Sequence, residues 1–206
     1  MVYLALPRIS KGSPILVLHA WWGLNNTIKT FCGWLAQEGF VAFAADLYHC
    51  KIAKTDSQAE ALRDALDDET AKQEILHAVK FLEKRAGKSG VTVIGFSLGA
   101  SYALDLSTHA TDSIRSVVIF YGLGSPDLNF RNSNAKYLGH FAAYDRIYAP
   151  KVAVDKLEKV LKDARRPVTF HTYRNTRHHF FERDRREYNY PAARAAYDST
   201  VAFLNR

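Results

Sequence analysis

Short apolar runs alternate along the whole chain with longer segments of helical period. The apolar runs in the middle of the chain are continuously hydrophobic, as expected for parallel strands that are covered on both faces. The run at residues 168–173 alternates between apolar and polar positions instead, which indicates a strand nearer a sheet edge. The pattern predicts seven strands, at residues 3–6, 15–19, 41–45, 91–95, 117–121, 137–143 and 168–173.

Helical segments fill the gaps between these strands, and several carry recognisable end signals. Asn25 or Asn26 is a suitable N-cap for the first helix, and Gly39 ends it. The second begins with acidic residues and ends with basic ones, which complements the helix dipole. Pro150 and Pro191 begin the last two helices. Proline is suited to the first helical position because the N–H that it lacks would have no hydrogen-bond partner within the helix there. The predicted helices span residues 27–37, 67–85, 98–108, 150–164 and 191–204.

This alternation predicts an α/β fold of three layers, with a mostly parallel central sheet of about seven strands between helices. No repeat or linker divides the chain, so residues 1–206 are predicted to form a single domain. The segment from His49 to Gly90 has room for a loop and two helices only, so no lid domain is expected. Functional groups in such sheets lie at the carboxyl ends of the strands, and polar residues directly after a strand are therefore the first candidates.

Composition narrows the class of protein. With 48% hydrophobic residues, the chain is too apolar to be disordered. No run approaches the roughly 18 to 20 apolar residues of a membrane span, and the N-terminus lacks the basic region of a signal peptide. Cys32 and Cys50 make neither a disulfide framework nor a paired zinc motif, and each is expected to be a small buried hydrophobe. A cytoplasmic protein that does not bind membranes is expected.

The formal net charge of +7 makes nucleic acid a class of partner to consider. The arginines between residues 165 and 186 are interspersed with acidic residues, however, and no nucleic-acid-binding motif accompanies them. Mixed charge of this kind is typical of a solvated surface with ion pairs. No nucleic-acid partner is predicted, and the positive charge is expected to attract small anionic substrates instead.

A G-x-S-x-G motif at residues 95–99 is the strongest chemical signal. It follows a predicted strand and precedes a predicted helix, which is the context of a nucleophile elbow. Glycines are needed on both sides because side chains there would collide with the neighbouring strand and helix. This predicts Ser97 as a nucleophile held clear of the sheet. A structural serine in a glycine-rich turn is the alternative.

A serine hydroxyl needs a neighbouring base, which in turn needs an orienting group. Asp145 directly follows the predicted strand 137–143, and His178 and His179 follow strand 168–173. The chain order Ser97, Asp145, His178 is that of a serine hydrolase on an α/β sheet, so His178 is the predicted base. Asp127 is the rival acid. The other strand-associated histidines are set aside as packing residues or as lying upstream of the nucleophile: His19, His140 and His171.

Two backbone donors are expected for the developing oxyanion. The N–H of Leu98 follows the nucleophile at a helix start, and the N–H of Trp21 follows an earlier strand. Trp22 and Tyr121 are the candidates for the substrate pocket, with simple core packing as the alternative for Trp22. Two large indole rings beside the reacting centre would restrict the acyl pocket, which argues against long-chain lipids.

The chain resembles the dienelactone hydrolases of the α/β-hydrolase superfamily. The resemblance runs in order through residues 19–24 (HAWWGL), 39–48 (GFVAFAADLY), 95–100 (GFSLGA), 139–145 (GHFAAYD), 173–181 (YRNTRHHFF) and 200–204 (TVAFL). It implies the α/β-hydrolase fold, with Ser97, Asp145 and His178 as the catalytic triad.

Four positions depart from the pattern of the best-known members. Ser97 replaces a cysteine nucleophile, and Ala20 replaces a glutamate that is tied to handling the thiol. His179 stands where that family usually has glycine, and Glu182 replaces an arginine that holds the substrate carboxylate. The first two departures fit a serine mechanism. A glutamate at position 182 is expected to repel an acid, which argues against true dienelactone hydrolase activity.

The sequence therefore predicts a serine hydrolase that cleaves small carboxylic esters or lactones, as a monomer or homodimer. No metal and no organic cofactor are expected. A thioesterase or small peptidase would use the same residues, and a non-catalytic binding protein on this fold is a further alternative.

Overall fold

The core of the molecule is a seven-stranded sheet within residues 2–8, 12–87 and 89–206, the parts of the chain that the computed structural model describes. The strand order is β1-β3-β2-β4-β5-β6-β7. β1 is antiparallel to β3, and the other neighbours are parallel. This confirms the predicted mostly parallel sheet. The strands are β1 (Val2–Ala5), β2 (Pro14–Leu18), β3 (Val41–Ala45), β4 (Val91–Phe96), β5 (Ile114–Phe120), β6 (Lys136–Ala142) and β7 (Val168–Tyr173).

Six α-helices lie in the described part of the chain, and five of them match the predicted segments. The sixth, α2, was given no bounds from the pattern because it is short and mostly polar and buries little besides Ala59; Thr55 caps its N-terminus. No described helix combines the length and apolar character needed to cross a membrane. The helices are α1 (Asn26–Gln37), α2 (Asp56–Asp64), α3 (Asp68–Ala86), α4 (Leu98–His109), α5 (Lys151–Asp163) and α6 (Tyr190–Leu204).

Two apolar cores, one on each face of the sheet, make the fold three-layered. α1 and α6 cover one face, where Phe31 packs among the rings of Phe96 and Phe120. α3, α4 and α5 cover the other face. The central strands β2 and β4 are buried at every position, whereas β7 is half-buried and lies at the sheet edge, as its alternating sequence predicts.

The two cysteines differ in exposure. Cys32 is buried in α1, and burial raises the pKa of its thiol to about 12, so it is the inert hydrophobe that the sequence predicts. The prediction for Cys50 was wrong, because this residue is exposed. It lies in a left-handed turn after β3 that the Asp46 carboxylate holds by accepting the Cys50 N–H at 2.8 Å.

His140 is a buried histidine of β6 and a packing residue, as predicted. Its ring nitrogens bond to the hydroxyls of Tyr173 (2.9 Å) and Thr200 (3.0 Å), and His171 stacks beside it. Burial, with a smaller effect of His171, lowers the pKa of His140 to about 3. The ring is therefore neutral in the folded protein at neutral pH but gains a proton near pH 6.5 on unfolding.

We expect the protein to lose stability as the pH falls below 6.5, because the unfolded chain then binds a proton that folded His140 does not. The free energy of unfolding should fall by about 1.4 kcal/mol per pH unit from this group. Urea unfolding between pH 7.5 and 4.5 measures the slope. His140→Gln should flatten it by about 1 kcal/mol per pH unit, whereas His77→Gln, at an exposed position, should leave it unchanged. Equal slopes for wild type and His140→Gln would contradict the assignment.

Candidate active site

Ser97 lies in a sharp turn between β4 and α4, with φ 49° and ψ −108°, a conformation that side-chain-bearing residues rarely adopt. Its N–H donates to the Phe120 carbonyl at 2.9 Å, which ties the turn to β5. A Cβ on Gly95 would overlap the carbonyl of Gly99, and a Cβ on Gly99 would overlap that of Leu18. Both glycines are thus required by close backbone contacts, as the motif predicts.

The structure brings Ser97, His178 and Asp145 together. The Ser97 Oγ lies 2.8 Å from His178 Nε2, and His178 Nδ1 lies 2.5 Å from Asp145 Oδ2. The three residues follow β4, β7 and β6, whose carboxyl ends meet at one edge of the sheet because these strands are parallel. The Ser–His–Asp chain of contacts is the arrangement that activates a serine hydroxyl.

Local hydrogen bonds hold the acid and the base in place. The other oxygen of Asp145 accepts the N–H of Tyr148 at 3.0 Å, which closes a turn after β6. The segment after β7, which carries His178, is anchored through Asp184, whose carboxylate accepts bonds from the side chains of Asn25 (3.2 Å) and Thr27 (2.8 Å). The base therefore sits on a loop fastened to the start of α1.

The electrostatics favour a neutral base beside an ionised acid. Burial lowers the pKa of His178 below its usual value, although the bond to Asp145 acts in the opposite direction. Burial alone would raise the pKa of Asp145, but the hydrogen bonds from His178 and from the backbone outweigh it and hold the pKa below its usual value. At pH 7 the imidazole is ready to accept a proton and the carboxylate to orient it.

Aromatic rings flank the base. Tyr121 meets the His178 ring edge-on at 4.9 Å, and Tyr148 lies at 4.6 Å from it. Tyr148 also contacts Trp21 at 5.9 Å, so it links the base to the loop after β2. Sequence reasoning missed Tyr148, and the available signal was its position three residues after the strand-end acid, where its N–H closes the turn.

The two predicted oxyanion donors lie on neighbouring parts of the fold: Leu98 begins α4, and Trp21 lies in the loop after β2. Leu98 is the first residue of α4, and neither its N–H nor that of Trp21 has an acceptor among the residues that the structure describes. Gly99 abuts the carbonyls of Leu18 and His19, so the loop leading to Trp21 touches the first turn of α4. Leu98 and Trp21 therefore stay the candidates for this role.

A cleft of about 850 Å³ opens beside His178 and Asp145. Ser97 and Leu98 are half-buried and are not among the residues that line it. The cleft is lined by Trp21, Trp22, Tyr148 and His178, and Trp22 stays the candidate for the substrate pocket. Tyr121 does not line the cleft: its side chain is 0% exposed beneath His178, and its hydroxyl donates to Glu182 at 3.0 Å. The prediction that Tyr121 lines the substrate pocket was wrong. Its hydroxyl bonds to Glu182, which is itself buried, and this turns the ring into the core.

Glu182 does not line the cleft either. The expectation that its charge would repel an acidic substrate was therefore wrong. Its carboxylate is fully buried and accepts bonds from Tyr121 and from His179 Nδ1 (2.9 Å). The cleft lining instead includes three cations, Lys54, Arg146 and Arg177, which form no ion pair with an acidic side chain in the described part of the chain. The lining also holds one acidic side chain that forms no ion pair among the described residues, Asp56, so unpaired cations exceed unpaired acids in the cleft.

The remaining candidates lie away from the catalytic contacts. Asp127 is exposed in the loop after β5 and makes no described contact with a histidine. His19 is buried, with Nδ1 2.6 Å from the Ala20 carbonyl and Nε2 accepting the Leu47 N–H at 3.1 Å, so it braces the loop before Trp21. Within residues 2–8, 12–87 and 89–206, no group of three or more His, Cys, Asp or Glu side chains is arranged to hold a metal ion.

The chain is similar to known proteins along its whole length. The model of the dienelactone hydrolase family matches residues 1–206. Protein usf of Aquifex pyrophilus is 30% identical over 98% of this chain and 91% of its own length. A 2-oxo-3-(5-oxofuran-2-ylidene)propanoate lactonase of Bradyrhizobium sp., named as probable, is 28% identical over 99% of this chain and 88% of its own.

A solved structure has the same fold. The dienelactone hydrolase-like promiscuous phosphotriesterase P91, from metagenomic libraries, superposes with a TM-score of 0.81 at 18% identity, over 96% of this chain and 87% of that chain. At that identity the likeness concerns the fold alone. It confirms the predicted α/β-hydrolase fold.

Proposed function

Because the chain belongs to the dienelactone hydrolase family, we propose that it is a serine hydrolase that cleaves small carboxylic esters or lactones. The observation that carries the proposal is the pair of hydrogen bonds that joins Ser97 to His178 and His178 to Asp145. A binding protein would gain nothing from holding a serine in a strained backbone conformation against a buried neutral imidazole.

In the proposed mechanism, Ser97 passes its proton to His178 Nε2 as its oxygen attacks the ester carbonyl. Asp145 fixes the tautomer of the imidazole and stabilises its charged form. The N–H groups of Leu98 and Trp21 stabilise the tetrahedral oxyanion. His178 then protonates the leaving alcohol, and afterwards activates the water that hydrolyses the acyl-enzyme at Ser97. No step requires a metal ion or an organic cofactor.

The cleft supports a small substrate that bears a negative charge. Trp21 and Trp22 narrow the cleft beside His178, and Lys54, Arg146 and Arg177 add positive charge to its lining. The Bradyrhizobium relative is named for a lactone that carries a propanoate group, which agrees with this polarity. Substrates with a free carboxylate should therefore be turned over with a lower KM than their neutral methyl esters, and added salt should reduce the difference.

A fluorophosphonate probe tests the nucleophile directly. We expect one covalent adduct, on Ser97, because the probe reacts with an activated serine and its phosphonyl oxygen occupies the oxyanion site. Intact-mass analysis followed by peptide mapping measures the adduct. Ser101→Ala is the matched control, since Ser101 lies one turn along the same helix and donates to the Leu123 carbonyl at 2.7 Å; this variant should be labelled at the wild-type rate.

The same protein should then be assayed with a panel of short esters, lactones and thioesters. Turnover of esters or lactones above thioesters supports the proposal, and preference for thioesters favours the thioesterase alternative, which shares the triad. Absence of probe labelling together with absence of turnover would favour a non-catalytic binding protein and overturn the proposed function.

A further inference from the structure

A second histidine–carboxylate pair lies directly behind the proposed catalytic base. His179 adopts a left-handed backbone conformation (φ 64°), and its Nδ1 lies 2.9 Å from Glu182 Oε1. Both side chains are buried, although His179 also belongs to the lining of the cleft, and the same carboxylate oxygen accepts the hydroxyl of Tyr121. Neither residue takes part in the mechanism above. Burying a carboxylate lowers the stability of the fold unless the group is paired, so we looked for what this buried pair contributes to the site.

The ring of His179 is in contact with both halves of the site. It stacks along Trp21, with ring centroids 6.5 Å apart and an interplanar angle of 16°, and it meets Trp22 edge-on at 5.5 Å. On another side it meets the ring of His178 at 4.3 Å. One imidazole thus lies between the loop that offers the second oxyanion donor and the base itself.

Glu182 fixes the orientation of that imidazole. The bond to Nδ1 leaves the ring one permitted orientation, in which its face lies along the Trp21 indole. Tyr121, held by the same oxygen, packs against His178 at 4.9 Å. The second oxygen of Glu182 is buried without a hydrogen-bond partner among the described residues. The described hydrogen bonds of the Glu182 side chain therefore both go to residues whose rings contact His178, namely Tyr121 and His179.

We propose that His179 and Glu182 are positioning residues that hold the Trp21 backbone donor and the His178 ring in register for the reaction. This inference rests on the proposed function, since it assigns the pair a part in the same chemistry. The oxyanion forms only in the transition state, so loss of the pair should lower kcat and leave KM nearly unchanged. Displacing an oxyanion donor, as opposed to removing it, should cost about 10- to 100-fold.

The charges around His178 provide a second signature. Burial is the largest cause of its lowered pKa; His179 lowers that pKa further, whereas Asp145 and Glu182 raise it. Glu187 lies close enough to respond to the charge of His179, and His19 and the phenol of Tyr121 respond to that of Glu182. Arg185 lies over the Trp22 ring at 3.9 Å. Removing His179 should therefore move the acid limb of kcat/KM to higher pH, and removing the charge of Glu182 should move it to lower pH.

The experiment compares His179→Phe, which keeps a ring but loses the bond to Glu182, with Glu182→Gln, which keeps the shape but loses the charge. kcat, KM and the pH profile are measured with p-nitrophenyl acetate, alongside thermal unfolding. His77→Gln, at an exposed site on α3, is the control and should match wild type. We expect kcat to fall 10- to 100-fold in both variants with KM within threefold, and the acid limbs to move in opposite directions.

Two results would overturn the inference: kcat within threefold of wild type in both folded variants, or a rise in KM with kcat unchanged, which would indicate substrate contact instead. If His179→Phe does not fold, Glu182→Gln alone decides by the same criteria. Failure of the proposed function is distinguishable, because wild type itself would then neither label with a fluorophosphonate at Ser97 nor cleave the ester.

Discussion

Replacing Ser97 with alanine is expected to lower kcat for a short p-nitrophenyl ester by about 10⁴-fold or more. The side-chain oxygen is the proposed nucleophile, and no other hydroxyl is described within hydrogen-bond distance of His178. The residual rate should reflect only the oxyanion donors and substrate binding. KM should change little, because the hydroxyl contributes its energy in the transition state. Steady-state kinetics with the purified variant measure the effect.

Ser101→Ala controls for removing a hydroxyl from the same helix and should keep kcat within about twofold, since Ser101 bonds only to the Leu123 carbonyl. Thermal unfolding should show that Ser97→Ala is folded. The substitution should not relieve the backbone strain at position 97 or raise stability, because alanine also carries a Cβ and must adopt the same positive φ. If Ser97→Ala kept activity within tenfold of wild type, the assignment of the nucleophile would be wrong.

The central strands could be predicted because parallel strands covered on both faces have continuously apolar sequences, as β2 and β4 do. The elbow could be predicted because only glycine fits where β4, α4 and β2 approach each other, as at Gly95 and Gly99. The order of acid and base then followed from the position of polar residues at strand ends. Each of these features is local, so it can be recognised from the residue types at and next to the position concerned.

Features that depend on distant packing could not be predicted. Glu182 appears in the sequence as a surface-type residue in a charged segment, and only the fold shows that Tyr121 and His179 meet its carboxylate. Cys50 and Tyr121 were misjudged for the same reason: exposure after a strand depends on how the next loop turns. Helix α2 has nine residues, most of them polar, and buries little besides Ala59, so it has too few apolar positions for a pattern to stand out.

Replacing Asp145 with asparagine is expected to lower kcat by about 10⁴-fold with little change in KM. The carboxylate accepts a hydrogen bond from the N–H at His178 Nδ1 (2.5 Å), which leaves Nε2 free to accept the proton of Ser97. An amide nitrogen in that place would donate to Nδ1 instead, so that Nε2 carries the proton and cannot act as the base. The loss should persist at high pH, because a wrong tautomer is not corrected by removing protons from solvent.

Asp127→Asn is the matched control, because it makes the same change at the rival acid. Asp127 is exposed and contacts only its own loop, so kcat should stay within about twofold of wild type. Asp145→Asn keeps the shape that closes the turn at Tyr148, and unfolding curves should show it folded. A fall in activity with Asp127→Asn alone would transfer the role to that residue. Equal activity in both variants would show that His178 needs no acid and would contradict the assignment of Asp145.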